Sequence, residues 1–203
     1  MTRRNTPRLT FIGFGEAGQA MAAGLREEGI EQIAAWDILF PAPEGELLRK
    51  AGDQIGVRLA NSAADAVSGT DVIISAVTAA SSLEAAKSVA PHLDSNPFYL
   101  DVNSVSPGRK QATANALGDR ARYVDVAILS PIYPARHRSP MLLAGPHAEA
   151  AGPILQALAM KTTVTGPQTG SAAAIKMVRS VMIKGIEALT AECFLAAERA
   201  GIV

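Results

Sequence analysis

The sequence predicts an α/β fold built around a doubly wound, mostly parallel sheet. Three features carry the prediction. Short β-rich runs alternate with Ala-rich helical patterns through most of the 203 residues, the signature of βαβ units. The first run ends in Gly13, Gly15 and Gly18, spaced GxGxxG. From Gly170 to Ala200 one long helical pattern runs without proline and closes at Gly201, the place of a C-terminal cap.

In chain order, strands are expected near Leu9–Phe14, Gln32–Asp37, Val57–Leu59, Asp71–Val77, Phe98–Val102, Tyr123–Val126, Met141–Ala144 and Thr162–Thr165. Helices are expected between them at Ala17–Glu28, Leu47–Ala51, Ala63–Ser68, Ser81–Val89, Pro107–Leu117 and Ala148–Ala159. Pro107 suits a first helical turn, where its missing N–H has no partner to lose. The closing helix, roughly thirty residues long, would span ~45 Å. Its stripe of Ile175, Val178, Met182, Ile186, Leu189 and Cys193 is apolar, yet so are Met177, Val181, Ile183, Phe194 and Leu195 outside it. One sheet cannot bury all of these, and each large side chain left in water forgoes about 1.5–3 kcal/mol. The helix therefore calls for a second partner, a twin subunit or more chain.

Among 17 glycines, GxGxxG alone also suits an ordinary tight turn. Its context, after a strand and opening a helix, favours a dinucleotide cradle. There the first glycine makes the turn, the second admits a pyrophosphate, and the third lets helix and strand pack closely. The expected cofactor segment is Gly13, Phe14, Gly15, Glu16, Ala17 and Gly18. Glu16 suits the positive end of the helix but lies near the pyrophosphate, so it is expected to face solvent. About twenty residues on, "AAWD" places Asp37 where a carboxylate can bond both ribose hydroxyls. Its charge repels a 2′-phosphate, and "ILF" after it offers no receiver, so NAD is preferred and NADP remains possible. Ligands collect at the carboxyl ends of strands in such sheets. That brings in Val77 and Thr78 of "SAVTAA" after the fourth strand, and Asn103 and Ser104 of "DVNSVSPG" after the fifth. Asn103 and Ser104 also read as the turn that caps the following helix, and both readings can hold together.

Charge balances at 19 acidic and 19 basic residues, without a long block of one sign. That argues against a nucleic-acid or membrane-surface partner and for a small molecule. Cys193, the single cysteine, excludes an internal disulfide and reads as a buried thiol, which fits a reducing cytoplasm. The basic start "MTRRNTPR" reads as a solvated tail, because the apolar run behind it is short and broken by glycine. No segment approaches a membrane span, since Lys176, Arg179 and Lys184 interrupt the most apolar stretch.

Taken together, "FIGFGEAG", "DVIISAV", "DVNSVSPG" and "GSAAAIKMVRS" resemble, in order and spacing, the β-hydroxyacid dehydrogenase family that includes 3-hydroxyisobutyrate and 6-phosphogluconate dehydrogenases. The resemblance implies a Rossmann-like domain over residues 1–168. It also implies a long interdomain helix from 169 that begins an all-α C-terminal domain, of which this sequence holds only the first helix. It implies that Lys176, six residues after Gly170, exchanges a proton with a substrate hydroxyl while hydride moves to or from a nicotinamide. That division of labour is chemically reasonable, since alcohol oxidation needs a base and a hydride acceptor. A free lysine is a poor base at neutral pH, but burial and the cations Arg179 and Lys184 would lower its affinity for the proton. Lys176, Ser180, Lys184 and Glu187 make one narrow polar stripe, which needs a wet cleft or a partner.

The departures from that family pattern bear on substrate. Asn103-Ser104 stands where members commonly have Ser-Thr, and Ser180 stands where asparagine is expected. "ILSPIYPARHRSP" replaces a glycine-rich substrate loop; there Arg136, His137 and Arg138 read either as an exposed loop tip or as a site for an acidic substrate. The leading expectation is an NAD-dependent dehydrogenase of a small acidic hydroxy acid. In it Lys176, Asn103, Ser104 and Ser180 form the catalytic and substrate set, no metal takes part, and a homodimer forms through the Gly170–Ala200 helix. A reductase of an imine or aldehyde, or a cofactor-binding sensor without turnover, are the rivals.

Overall fold

The computed structural model describes residues 6–202; the start of the basic tail, residues 1–5, lies outside them. The elements follow as β1 (Leu9–Ile12), α1 (Glu16–Glu27), β2 (Ile33–Trp36), α2 (Glu46–Ile55), β3 (Arg58–Leu59), α3 (Ala63–Val67), β4 (Val72–Ser75) and α4 (Ser82–Val89). Then come β5 (Phe98–Asp101), α5 (Pro107–Leu117), β6 (Arg122–Ile128), β7 (Met141–Ala144), α6 (Ala148–Ala157), β8 (Thr162–Gly166) and α7 (Ser171–Arg199). The strands form one sheet in the order β3-β2-β1-β4-β5-β6-β7-β8. Every neighbouring pair is parallel except β6 and β7. The order reverses between β1 and β4, and a crevice opens there at the carboxyl ends of both strands.

Alternating side chains feed two cores, as the two-residue period of a strand requires. Val72, Ile74, Phe98, Leu100, Val124 and Val126 face one layer with Met21 and Leu25 of α1 and Leu155 of α6. Ile73, Tyr99 and Tyr123 face the other, with Val67 of α3, Val89 of α4 and Leu117 of α5. β7 runs antiparallel because the chain between Ile128 and Met141 carries Pro131, Pro134 and Pro140 and forms no crossover helix.

Element boundaries shift for identifiable reasons. α2 runs to Ile55 rather than ending at Ala51: Gly52 is a packing position against Leu59 and Phe14, and the true stop is Gly56 at φ 79°. β1 and β4 end two residues early because the chain leaves the sheet at Gly13 and Ala76.

Arg136–Arg138 is neither a free loop tip nor an open anion site. It forms a short 3-10 turn docked on α1, with Arg136 paired to Glu27 and Arg138 to Glu28. His137 is buried against Gly24, where an added Cβ would strike its ring. Burial holds the His137 imidazole below its ordinary pKa, against the pull of Glu28. Cys193 is exposed rather than buried. In α7 only Ala172 and Ala173 are buried, Ala172 against Ala127 and Ala144 of the sheet. After Ser180 nearly every residue of the helix is exposed, so the apolar stripe has no cover among the described residues. No described helix is long and apolar enough to cross a membrane.

Candidate active site

The glycine turn is built by β1 ending under the crevice. Gly13 adopts φ +90°, and a Cβ there would lie 2.6 Å from Val77 Cγ1 and overlap the Ala76 carbonyl. A Cβ on Gly18 would come within 2.6 Å of the Gly13 oxygen, so α1 can approach the strand only without one. Gly15, which precedes α1, provides no side-chain cap, and a Cβ on it would meet nothing within 4 Å. The helix thus presents its first N–H groups and the positive end of its dipole to an open space, which suits a pyrophosphate.

Asp37 at the end of β2 braces this turn. Its Oδ2 accepts from the Phe14 N–H at 2.8 Å and its Oδ1 from the Leu39 N–H at 3.0 Å. The Phe14 ring is wholly buried, so only its backbone belongs to the turn. Glu16 is exposed, and Ala17 lines the crevice. The residues present therefore fit a dinucleotide: Gly13–Gly18 would hold the pyrophosphate, and Asp37 the adenosine ribose.

Across the crevice, β4 and β5 are clipped together by Asn103. Its Oδ1 accepts from the Val77 N–H at 2.7 Å, while Nδ2 donates to Ser75 Oγ at 3.0 Å and Asp101 Oδ1 at 2.8 Å. The carboxamide expected to face substrate is 5% exposed and engaged within the protein, so its part is to hold the strand ends. The helix cap expected of Asn103 or Ser104 comes instead from Ser106, whose Oγ accepts from the Arg109 N–H at 3.3 Å. Ser104 is left exposed for other work. Thr78 is exposed as well, and its hydroxyl pairs with Ser81 at 2.9 Å.

The first turns of α7 bring Lys176 over these strand ends. Its half-buried Nζ donates to Ser104 Oγ at 2.7 Å. Burial, then the charges of Lys110 and Arg179, hold its pKa below the ordinary lysine value. Arg179 is anchored on the Leu129 carbonyl at 2.6 Å. Lys176 stands between two openings. A crevice of about 290 Å³ reaches Ala17, Val77 and Asn103, and a cleft of about 770 Å³ reaches Ser180 and Lys184. Among the described residues, the larger cleft is lined by Lys110, Lys176 and Lys184 and by no carboxylate.

Sequence reasoning missed a buried polar cluster beneath this site. Lys110, 1% exposed, lies 3.2 Å from Asp101 Oδ1 and 3.3 Å from Asp125 Oδ1. Tyr123 donates its hydroxyl to Asp101 Oδ2 at 2.8 Å; burial and the Asp101 charge raise its pKa, so it keeps that proton. The signal available was a carboxylate inside each of two apolar strand runs, "FYLD" and "YVDVAI". Such groups are buried only with partners.

This sheet order, glycine cradle and braced acidic residue define a dinucleotide-binding Rossmann-like protein. More narrowly, the chain belongs to the family of the NAD binding domain of 6-phosphogluconate dehydrogenase, whose pattern matches residues 8–166. A conserved hypothetical protein from Sinorhizobium meliloti is 37% identical, with TM-score 0.84 over 97% of this chain; the chain spans 66% of that protein. An imine reductase from Myxococcus stipitatus, solved with NADP+, is 25% identical, with TM-score 0.77 over 97% of this chain and 68% of that one. The 3-hydroxyisobutyrate dehydrogenase of Mycobacterium tuberculosis, with L-serine, shares the fold at TM-score 0.83 and 22% identity, over 98% of this chain and 67% of that one.

Proposed function

We propose that this chain is the cofactor-binding and proton-transferring part of an NAD(P)-dependent oxidoreductase that acts on a small acidic hydroxy acid. One observation carries the reading: Lys176 Nζ, bonded to Ser104 Oγ at 2.7 Å, stands between the crevice over the glycine turn and a cationic cleft. When bound, the dinucleotide supplies the hydride acceptor or donor. Lys176 as the neutral amine takes the substrate hydroxyl proton during oxidation, and as the ammonium returns it during reduction. Its depressed pKa makes the neutral form accessible. Ser104, able to donate and accept, orients the hydroxyl, and Ser180, one helical turn beyond Lys176, lines the same cleft. Lys176 and Lys184 favour an anionic substrate, while the charge of Lys110 in the same wall is matched by Asp101 and Asp125.

The test follows NADH formation over a panel of 2- and 3-hydroxy acids, and NADH consumption over the matching ketones and imines. Turnover of at least one hydroxy acid supports the reading. Turnover confined to imines would move the assignment to imine reduction, the reading favoured by similarity to the Myxococcus enzyme.

Asp37 sets the proposed preference for NAD. Asp37→Asn keeps an acceptor for the glycine turn but removes the charge. We expect NADH affinity to fall about tenfold, in line with a lost charged hydrogen bond, and the ratio of NADPH to NADH affinity to rise. Calorimetry with both cofactors reads this, and an unchanged ratio would contradict the role of the charge.

The same proposal includes a homodimer through α7. Val178, Val181, Met182 and Leu189 are each more than 60% exposed, and a contiguous apolar face of this kind favours association. Light scattering should report a dimer for the wild type and a monomer for Val181→Glu/Leu189→Glu; a wild-type monomer would remove the dimer from the account.

A further inference from the structure

We propose that Asp125 is a positioning residue: from within the sheet it caps α7 and, through Lys110, ties that helix to the segment after β5, so that Lys176 and Ser104 hold one register. The inference rests on the acid/base reading of Lys176 for its functional consequence, but its structural content stands apart from it.

Gly170, at the cap position of α7, has no side chain to offer and adopts φ +96°. A larger residue is obstructed there, since a Cβ would lie 3.0 Å from Pro107 Cβ and 3.2 Å from the Pro107 oxygen. The cap is supplied from 45 residues earlier in the chain. Asp125 Oδ2 accepts from the Gly170 and Ala173 N–H groups, each at 3.1 Å. Its other oxygen, Oδ1, has no hydrogen bond and faces Lys110 at 3.3 Å. Lys110 continues to Asp101, both by the ion pair at 3.2 Å and by donating to the Asp101 carbonyl. Asp101 Oδ1 in turn accepts from the backbone N–H of Asn103 at 3.0 Å and from its side chain at 2.8 Å. An unbroken polar path thus runs from the start of α7, under the site, to the residue that precedes Ser104.

Burying two carboxylates around one ammonium is an inefficient way to stabilise a sheet, because desolvation offsets most of the attraction and apolar side chains of equal volume serve as well. Apolar side chains cannot accept two helix N–H groups at fixed geometry. Lys176 lies six residues past Gly170, within two turns of the cap, so the error in its placement is set by how firmly that first turn is held.

The test compares wild type, Asp125→Ala and Asp125→Asn. In Asp125→Ala, amide hydrogen exchange over residues 170–177 should quicken about tenfold or more, as expected for the loss of hydrogen bonds to a charged cap, while β1 and β4 keep their protection. NADH affinity should stay within about twofold, and kcat on the best substrate of the panel should fall about tenfold or more with a smaller change in KM, the pattern of a misplaced reacting group. Asp125→Asn, whose carboxamide oxygen still accepts both helix N–H groups, should recover most of the exchange protection and part of kcat. Unchanged exchange at the start of α7, or an equal loss across the whole sheet, would overturn the proposal. If no substrate in the panel turns over, the acid/base reading fails while the exchange result still decides the role of Asp125.

Discussion

Lys176→Met is expected to lower turnover about 10²–10⁴-fold, the usual contribution of a positioned acid or base, while NADH affinity changes no more than about twofold. Methionine approximates the lysine stem in length and apolar character, so the loss isolates the amine. The pH dependence adds a sign to the test. Burial and the neighbouring Lys110 and Arg179 charges lower the Lys176 pKa, which means its neutral form populates at lower pH than in an ordinary lysine. Oxidation, which needs that neutral amine, should therefore climb with pH through a midpoint below the ordinary lysine value of ~10.4 and level off above that midpoint. Reduction needs the ammonium and should fall over the same interval. The variant should lose this limb in both directions. Equal rates in wild type and variant, or a pH profile that survives the substitution, would take Lys176 out of the mechanism.

The second large effect belongs to the glycine turn, where neighbouring positions should fail in different ways. Gly13→Ala meets both a left-handed backbone at φ +90° and the Val77 and Ala76 atoms across the β1–β4 boundary. Strain and overpacking together should destabilise the fold by about 2–4 kcal/mol and abolish NADH binding. Gly15→Ala meets nothing within 4 Å and has an ordinary backbone, φ −73°. It should unfold at the wild-type urea midpoint to within about 0.5 kcal/mol, yet lose about tenfold or more in NADH affinity, because the added methyl enters the space a pyrophosphate would take. Chemical denaturation and calorimetry on both variants separate the two outcomes. A Gly15→Ala protein that binds NADH as well as wild type would contradict the cradle.

Much of the architecture was legible because local signals agreed with one another. The alternation of β-rich and helical runs, the glycines after the first strand and the acidic end of the second strand all point to a doubly wound, mostly parallel sheet. The antiparallel β7 was not legible as such, though its cause was: prolines 131, 134 and 140 deny the chain a helical crossover. Distances between elements remote in sequence were the blind spot. Asn103 and Ser104 are adjacent and equally polar, yet one is folded into a clip between β4 and β5 and the other meets Lys176, 72 residues away. Arg136–Arg138 looked like a basic tip because the partners of Arg136 and Arg138 at the end of α1, Glu27 and Glu28, lie more than 100 residues earlier. Cys193 was misplaced by the assumption that an apolar stripe implies burial; the stripe is real, but among the described residues nothing covers it. Lys110 carried no local mark, since a lysine in the first turns of an amphipathic helix ordinarily faces water, and only the carboxylates within β5 and β6 hinted that a buried cation was required.

In the proposed active site, the amine of Lys176 would overlook the nicotinamide end of a cofactor seated on the Gly13–Gly18 turn. A crystal structure of the protein with NADH tests it most directly. The pyrophosphate is expected on the amino end of α1 and the nicotinamide in the crevice lined by Val77, Asn103 and Ser104, with Lys176 Nζ close enough to the ring that a small substrate between them touches both, within about 7 Å once two contacts of ~3–3.5 Å are allowed. A nicotinamide directed away from α7, or Lys176 Nζ turned out of the crevice while Ser104 stays in it, would rule out proton transfer by Lys176.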